Sequence, residues 1–133
     1  RTRFDCIIGS AAGIRQAVCR AALHVSQRTV FQKKLIDQPL MRVVIADLAL
    51  ESEAAIALMM RVASSFDLAA SDTREAALNR VLTPIAKFWI CKRQPSVVAQ
   101  ALECLGGVGF VEESGLPRLF RTSPLNAIWE GSG

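Results

Sequence analysis

Glu130 stands between a tryptophan and three small residues, in the run "NAIWEGSG" that spans Asn126 to Gly133. A carboxylate set against an indole face is partly desolvated, which disfavours its charged form and suits it to act as a base. Gly131 removes a side chain where a substrate has to come close. The same acid is also readable as an exposed loop residue, and the run by itself does not separate the two.

Two other stretches carry chemistry of a different kind. In "QRTVF", Gln27 to Phe31, an arginine precedes an aromatic by three residues. Arg28 there either binds a phosphate in a bidentate fork while Phe31 stacks on a ring, or is a surface arginine beside a core phenylalanine. "LGGVGF", Leu105 to Phe110, has glycines whose backbone N–H groups can receive an anion closely. It lacks the preceding strand and the spacing of the common glycine fingerprints, so it equally marks a helix stop. Metal chemistry gains no support, because His24 is the one histidine and Cys6, Cys19, Cys91 and Cys104 form no C-x-x-C pair. The four thiols are read as reduced, in an intracellular compartment such as the cytoplasm or the mitochondrial matrix.

Helices must position these groups. From Phe4 to about Thr29 the apolar residues Ile7, Ile8, Ala11, Ile14, Val18, Ala21, Ala22 and Val25 recur at helical steps. Gly9 and Gly13, four apart on this helix, are expected to admit a close neighbour. The polar run "FQKKLIDQP" is the connection to a second helix, which starts at Pro39 and runs to about Ala69. Asp72 and Glu75 form a capping box for a third helix, in which Pro84 predicts a kink and Pro95 a kink or a break. A short helix is expected over Leu116 to Thr122, and no strand alternation is visible. The fold expected is all-α, an up-down bundle of long antiparallel helices.

Composition agrees with one packed domain. Of 133 residues, 51% are hydrophobic and 21% charged, which excludes a disordered chain. The net charge of +4 is scattered, with no block of like charge that would mark a nucleic-acid stripe. No run of apolar residues is long enough to span a bilayer, and no signal peptide is visible. The chain opens mid-pattern at "RTRFDC" without a methionine, and is read as a piece of something longer.

Taken in order, "RTRF", "QRTVF", "DQPLMR", "IAKF", "LGGVGF" and "IWEGSG" resemble the C-terminal helical domain of the acyl-CoA dehydrogenase flavoprotein family. The resemblance covers essentially all of the chain, residues 1 to 133. "RFDC", "QPLMR", "ICKR" and "EESGLPRLFR" are most similar to the branch that includes the bacterial alkylation-response protein. This implies an FAD enzyme that oxidises an acyl-CoA thioester to its 2,3-enoyl form, with isovaleryl-like substrates in the same region of the family. The family's base motif, Tyr-Glu-Gly-Thr, reads here Trp129-Glu130-Gly131-Ser132. Glu130 is thereby implied as the base, Trp129 as a wall of the acyl pocket or a neighbour of the flavin, and Ser132 as a cofactor contact. The position that carries the base in some branches corresponds to Thr2, which cannot serve.

The family's Arg-x-x-Phe motif, which meets the ADP part of FAD in a neighbouring subunit, matches Arg28 and Phe31. Gln38 matches a residue near that site, and Gly106 and Gly107 match the glycine turn that approaches the cofactor. Arg3 matches an arginine at the active-site end of the first helix. Two positions depart from the pattern: Gln32 replaces the usual glycine after the motif's phenylalanine, and Glu103 replaces a common glutamine. The resemblance further implies a homotetramer, an electron-transfer acceptor, missing N-terminal helical and middle β domains, and a last helix that continues past Gly133. The same branch carries an alternative function, a DNA-binding alkylation-response flavoprotein with weak dehydrogenase activity, whose DNA contacts are expected outside this sequence.

Overall fold

A computed structural model describes residues 2–132. Arg1 and Gly133, the outer residues of "RTRF" and "IWEGSG", lie outside the described residues. Three long helices make the body: α1 (Thr2–Gln27), α2 (Pro39–Leu68) and α3 (Thr73–Cys104). Side chains far apart in sequence show their directions. Phe4 at the start of α1 stacks on Phe66 at the end of α2, with ring centroids 5.0 Å apart, so these two run antiparallel. The Cys91 thiol of α3 donates to the Cys6 carbonyl of α1. Arg15 pairs with Glu53, Arg61 with Glu75 and Arg93 with Glu51, tying α2 to both neighbours. The all-α up-down bundle is the fold observed.

Its core is one seam of small and branched residues. Ile7, Ala11, Ile14, Val18, Ala21 and Val25 come from α1, Leu48, Ala55 and Val62 from α2, and Ala86, Ile90, Val98 and Ala101 from α3. The many alanines let the helices approach closely, and Gly13 carries this further. A β-carbon there would collide with the Gln94 amide of α3 and lie 3.5 Å from Leu119. The glycine is therefore a packing residue, as its spacing suggests.

Three local details differ from the sequence reading. The α1–α2 connection contains a small hairpin, β1 (Thr29–Val30) paired antiparallel with β2 (Lys33–Lys34). Phe31 and Gln32 form its two-residue turn with φ of 51° and 64°. A type I′ turn needs such angles at both centres, and a residue other than glycine pays sterically for them. Secondly, the break allowed at Pro95 does not occur, and α3 runs continuously through Pro84 and Pro95. Each proline removes a helix hydrogen bond, but buried residues on both sides, Ala86, Ile90, Val97 and Val98, hold the helix to α1. Thirdly, only half of the capping box forms. Asp72 accepts from Arg74 and Glu75 backbone N–H groups at 2.8 and 3.3 Å, while the Glu75 carboxylate turns to Arg61.

After α3 the chain turns at Gly106, whose φ of 62° ends the helix in left-handed backbone. A 3-10 segment follows over Gly106–Phe110, then a second over Glu112–Ser114. Two short helices, α4 (Leu116–Thr122) and α5 (Leu125–Ile128), bring the chain back to α1. The bounds of α4 agree with the sequence reading, whereas α5 is one turn long and shows no periodicity to detect.

Candidate active site and nucleotide cleft

Glu130 follows the end of α5, where Trp129 is extended and Glu130 and Gly131 take φ of 59° and 85°. Glycine tolerates this conformation freely, but glutamate loses roughly 1–2 kcal/mol in it. Backbone contacts hold it there. Lys87 of α3 donates from Nζ to the Trp129 carbonyl at 2.8 Å and also to the Gly131 carbonyl. Arg3 of α1 donates from Nε to the carbonyl of Glu130 itself at 3.1 Å. Hydrogen bonds from a charged donor contribute roughly 1.5–3 kcal/mol each, enough to offset the left-handed backbone.

The carboxylate is held separately. Thr2 Oγ1 donates to Glu130 Oε2 at 2.8 Å, which leaves Oε1 without a protein partner among the described residues. Trp129 is fixed by its own chain of bonds. Its Nε1 donates to Asn126 Oδ1 at 3.1 Å, and Asn126 Nδ2 donates to Ser10 Oγ of α1 at 3.1 Å. Gly9 leaves room for that amide, since a β-carbon there would stand 3.2 Å from Asn126 Nδ2. Beneath lie the buried residues Cys6, Cys91 and Ala127. Burial pushes the Cys91 thiol up, against a lowering by Ser10 and the Lys87 charge.

Glu130 forms a wall shared by two cavities. One, about 300 Å³, is lined by Thr2, Asp5, Cys6, Asn126, Trp129 and Glu130. The other, about 360 Å³, is lined on its far side by Phe66, Asn79, Arg80 and Thr83. The acid therefore borders concave space on two sides while staying exposed itself. One expectation needs correction: Glu130 is exposed and is touched by a hydroxyl, while the indole is turned to Asn126. Within this chain Trp129 does not by itself desolvate the carboxylate.

A second site occupies the other end of α1. That helix has 26 residues, which puts its ends about 39 Å apart. There a cleft of about 480 Å³ brings together His24, Arg28, Glu103, Gly106 and Gly107. Arg28 has no ion-pair partner among the described residues. A β-carbon at Gly106 or Gly107 would meet nothing within 4 Å, so the turn presents open backbone. Burial pushes the Cys104 thiol up, and the neighbouring Glu103 charge adds to this.

The structure thus groups Arg3, Trp129 and Glu130 at one end, and Arg28, Gly106 and Gly107 at the other. Phe31, Gln38 and Ser132 line none of the three cavities. Phe31 is 90% exposed at the hairpin tip, and Gln38 is half-buried at the start of α2, its N–H donating to Leu35. Ser132 is exposed beyond the left-handed pair. Sequence reasoning missed Lys87, His24 and Asn126. Lys87 had a signal: it shares a helical face with Ala86, Ile90, Cys91 and Gln94, all buried.

Known proteins match this chain over its whole length. The family model described as "Acyl-CoA dehydrogenase, C-terminal domain" matches residues 1–133. AidB of Escherichia coli strain K12, whose name places it with the acyl-CoA dehydrogenases, is 53% identical over 132 residues, which are 99% of this chain and 24% of AidB. The bovine mitochondrial short-chain specific acyl-CoA dehydrogenase is 31% identical over 127 residues, 95% of this chain and 29% of the enzyme. A crystal structure of Caenorhabditis elegans ACDH-11 in complex with C11-CoA superposes with a TM-score of 0.94 at 28% identity, covering 98% of this chain and 23% of ACDH-11. The chain spans about a quarter of the length of these relatives.

Proposed function

Because the chain belongs to the acyl-CoA dehydrogenase family, whose C-terminal domain it matches throughout, we propose that it supplies the base and part of the cofactor site of an FAD-dependent acyl-CoA dehydrogenase. The observation that carries this reading is the carboxylate of Glu130, held by Thr2 between two cavities with Oε1 left open. A positioned carboxylate of this kind takes the α-proton of an acyl thioester. The complex of ACDH-11 with C11-CoA supports a thioester ligand for the fold.

FAD, when bound, supplies the acceptor for the hydride that leaves the β-carbon. The chain's own residues fit a dinucleotide: Arg28 offers a guanidinium with no ion-pair partner among the described residues, and Gly106 and Gly107 let phosphates approach the backbone. Glu103 repels phosphate, and in this reading it accepts from a ribose hydroxyl. Phe31, displayed at the hairpin tip, and Gln38 and Ser132 are assigned as further cofactor contacts. Trp129 borders the acyl pocket. Arg3 is assigned to the active-site end of α1, where it acts on the Glu130 backbone.

The rest of the protein, in this reading, is an N-terminal helical domain and a middle β domain that cover the open side of Glu130 and exclude water. Apolar faces left exposed, Leu40, Val43 and Leu50 on α2 and Val81, Ile85 and Phe88 on α3, support a homotetramer. No helix among the described residues is long and apolar enough to cross a membrane. An electron-transfer protein serves as acceptor, and thiols free of disulfides suit a reducing compartment.

Glu130→Gln in the full-length flavoprotein tests the base. Anaerobic bleaching of the flavin by acyl-CoA should slow by about 10²–10⁴, the range for general base catalysis, with FAD still bound. Bleaching at the wild-type rate retires the assignment. The resemblance of "RFDC", "QPLMR", "ICKR" and "EESGLPRLFR" to the alkylation-response branch motivates the alternative. DNA binding by the full-length protein that weakens steeply with salt would favour it.

A further inference from the structure

Lys87 is the largest fully buried side chain of the domain, with 1% of its surface exposed. An ammonium leaves water only where other groups replace its hydration. Among the described residues no carboxylate does this, since Lys87 belongs to none of the ion pairs. Its partners are the carbonyls of Trp129 and Gly131, the residues on either side of Glu130. If α3 needed only to fill this space, an apolar chain of the same length would do so without desolvating a charge. What the charge adds is a hold on backbone, at the one site after α5 where a residue with a β-carbon is left-handed.

A backbone outlier that surrounding contacts enforce is a common mark of a functional position. Three successive carbonyls, of Trp129, Glu130 and Gly131, are held by two cations reaching from α3 and α1. Thr2 fixes the far end of the same side chain. If the left-handed backbone relaxed, Glu130 would leave the wall between the two cavities and its bond to Thr2 would break.

We propose that Lys87 is a positioning residue for the proton transfer at Glu130: it fixes the backbone on both sides of the acid and so sets where the carboxylate stands. The inference rests on the reading of Glu130 as the base. Lys87 itself touches no reacting atom, and its effect passes entirely through the 129–131 backbone.

The test uses the full-length flavoprotein and three variants, Lys87→Met, Lys87→Gln and Glu130→Gln. Flavin bleaching is followed in anaerobic stopped flow over a range of acyl-CoA concentrations, which separates thioester affinity from the limiting rate. Lys87→Met should lower the limiting rate by about 100-fold, the usual effect of a reacting group displaced by about 1 Å. Flavin content should stay within about threefold of wild type, because Arg28, Gly106 and Gly107 lie at the far end of α1, and thioester affinity should fall by much less than the limiting rate. Lys87→Gln, whose amide can still donate to one carbonyl, should recover part of the loss. A merely structural role would lower flavin content and affinity together and would not be relieved by glutamine. If Lys87→Met yields no folded flavoprotein, the comparison of Lys87→Gln with wild type carries the test, with a limiting rate reduced by about tenfold. A limiting rate within about threefold of wild type in the lysine variants, while Glu130→Gln is slow, overturns the proposal and leaves the base in place. A wild-type rate in Glu130→Gln overturns the base reading itself, and the two failures are distinct.

Discussion

Alanine at Gly109 and alanine at Gly107 should separate folding from cofactor binding within a single turn. Gly109 is buried, and a methyl group there would collide with the Leu102 carbonyl oxygen. It would also stand 3.1 Å from the Leu102 carbonyl carbon and from Leu105 Cβ. The obstacle is the last turn of α3, which cannot rotate aside as a side-chain end can. Overpacking of this kind costs about 1–3 kcal/mol, and a backbone obstacle belongs at the upper end. Reduced freedom of the unfolded chain returns only about 0.4–1 kcal/mol. The net loss is roughly 2 kcal/mol. With a urea dependence of about 1–3 kcal/mol per molar, the unfolding midpoint should fall by about 1 M.

Gly107 has no such obstacle, so its alanine variant should fold within about 0.5 kcal/mol of wild type. Its methyl group, however, projects where Arg28 and Gly106 line the cleft. In the full-length protein FAD should then bind at least about tenfold more weakly, or about 1.4 kcal/mol. Urea unfolding of the domain, followed by helical circular dichroism, reads the first effect. Flavin dissociation reads the second. An unchanged midpoint for Gly109→Ala refutes the collision argument, and wild-type flavin affinity for Gly107→Ala refutes the place given to this turn.

Two further outcomes follow from charge and burial. Hydrogen bonds from Arg93 hold the Glu51 carboxyl below its ordinary value of 4.5, opposed by partial burial and helped by the Arg93 charge. A depressed acid stabilises the fold above its unfolded value and loses that contribution as pH falls through the lower folded value. Glu51→Gln should therefore cost about 0.2–1 kcal/mol at neutral pH, a range set by solvent screening of the half-exposed pair. Urea midpoints of the two proteins should converge in acid, and a constant gap would contradict the linkage. Cysteine labelling tests the packing. Cys19 is exposed, whereas Cys6, Cys91 and Cys104 are buried, and burial pushes the Cys91 and Cys104 thiols up. A maleimide should modify Cys19 alone in the native domain, and a second rapid adduct by peptide mapping would show that the core seam is open.

Periodicity located α1 and α2 because each shows its buried face in its own sequence, whereas the stretch holding α4 is too irregular to suggest more than a short helix. The hairpin was hidden, since Phe31 and Gln32 lack the Asn-Gly or Asp-Gly signature of a type I′ turn. The resemblance did flag this place, because the family's usual glycine at Gln32 suits the left-handed backbone found there. At Pro95 local steric preference allowed a break as well as a kink, and packing against α1 keeps the helix continuous there. The Glu75 carboxylate had two available partners, and the bidentate bond to Arg61 at 2.8 and 2.9 Å prevailed over the cap. Trp129 was expected to shield Glu130, but nothing local announces that Asn126 claims the indole N–H.

The placement of the two sites bears on how one chain serves one flavin. Glu130 and the Arg28 cleft lie at opposite ends of α1, whose 26 residues separate them by about 39 Å. On the proposed reading the base must meet the thioester beside the flavin ring, while Arg28, Gly106 and Gly107 hold the ADP part. That separation is too long for one dinucleotide to bridge along the bundle. On that reading each flavin draws its base from one copy and its ADP contacts from another. On the same reading the neighbour presents Phe31, exposed at the tip of a hairpin, and the exposed apolar stripes on α2 and α3 are the surface on which such copies meet. The inference from Lys87 then acquires a further consequence. Loosening the 129–131 backbone disturbs the base of one flavin site while leaving that copy's ADP contacts intact, so flavin content and bleaching rate should part company in Lys87→Met.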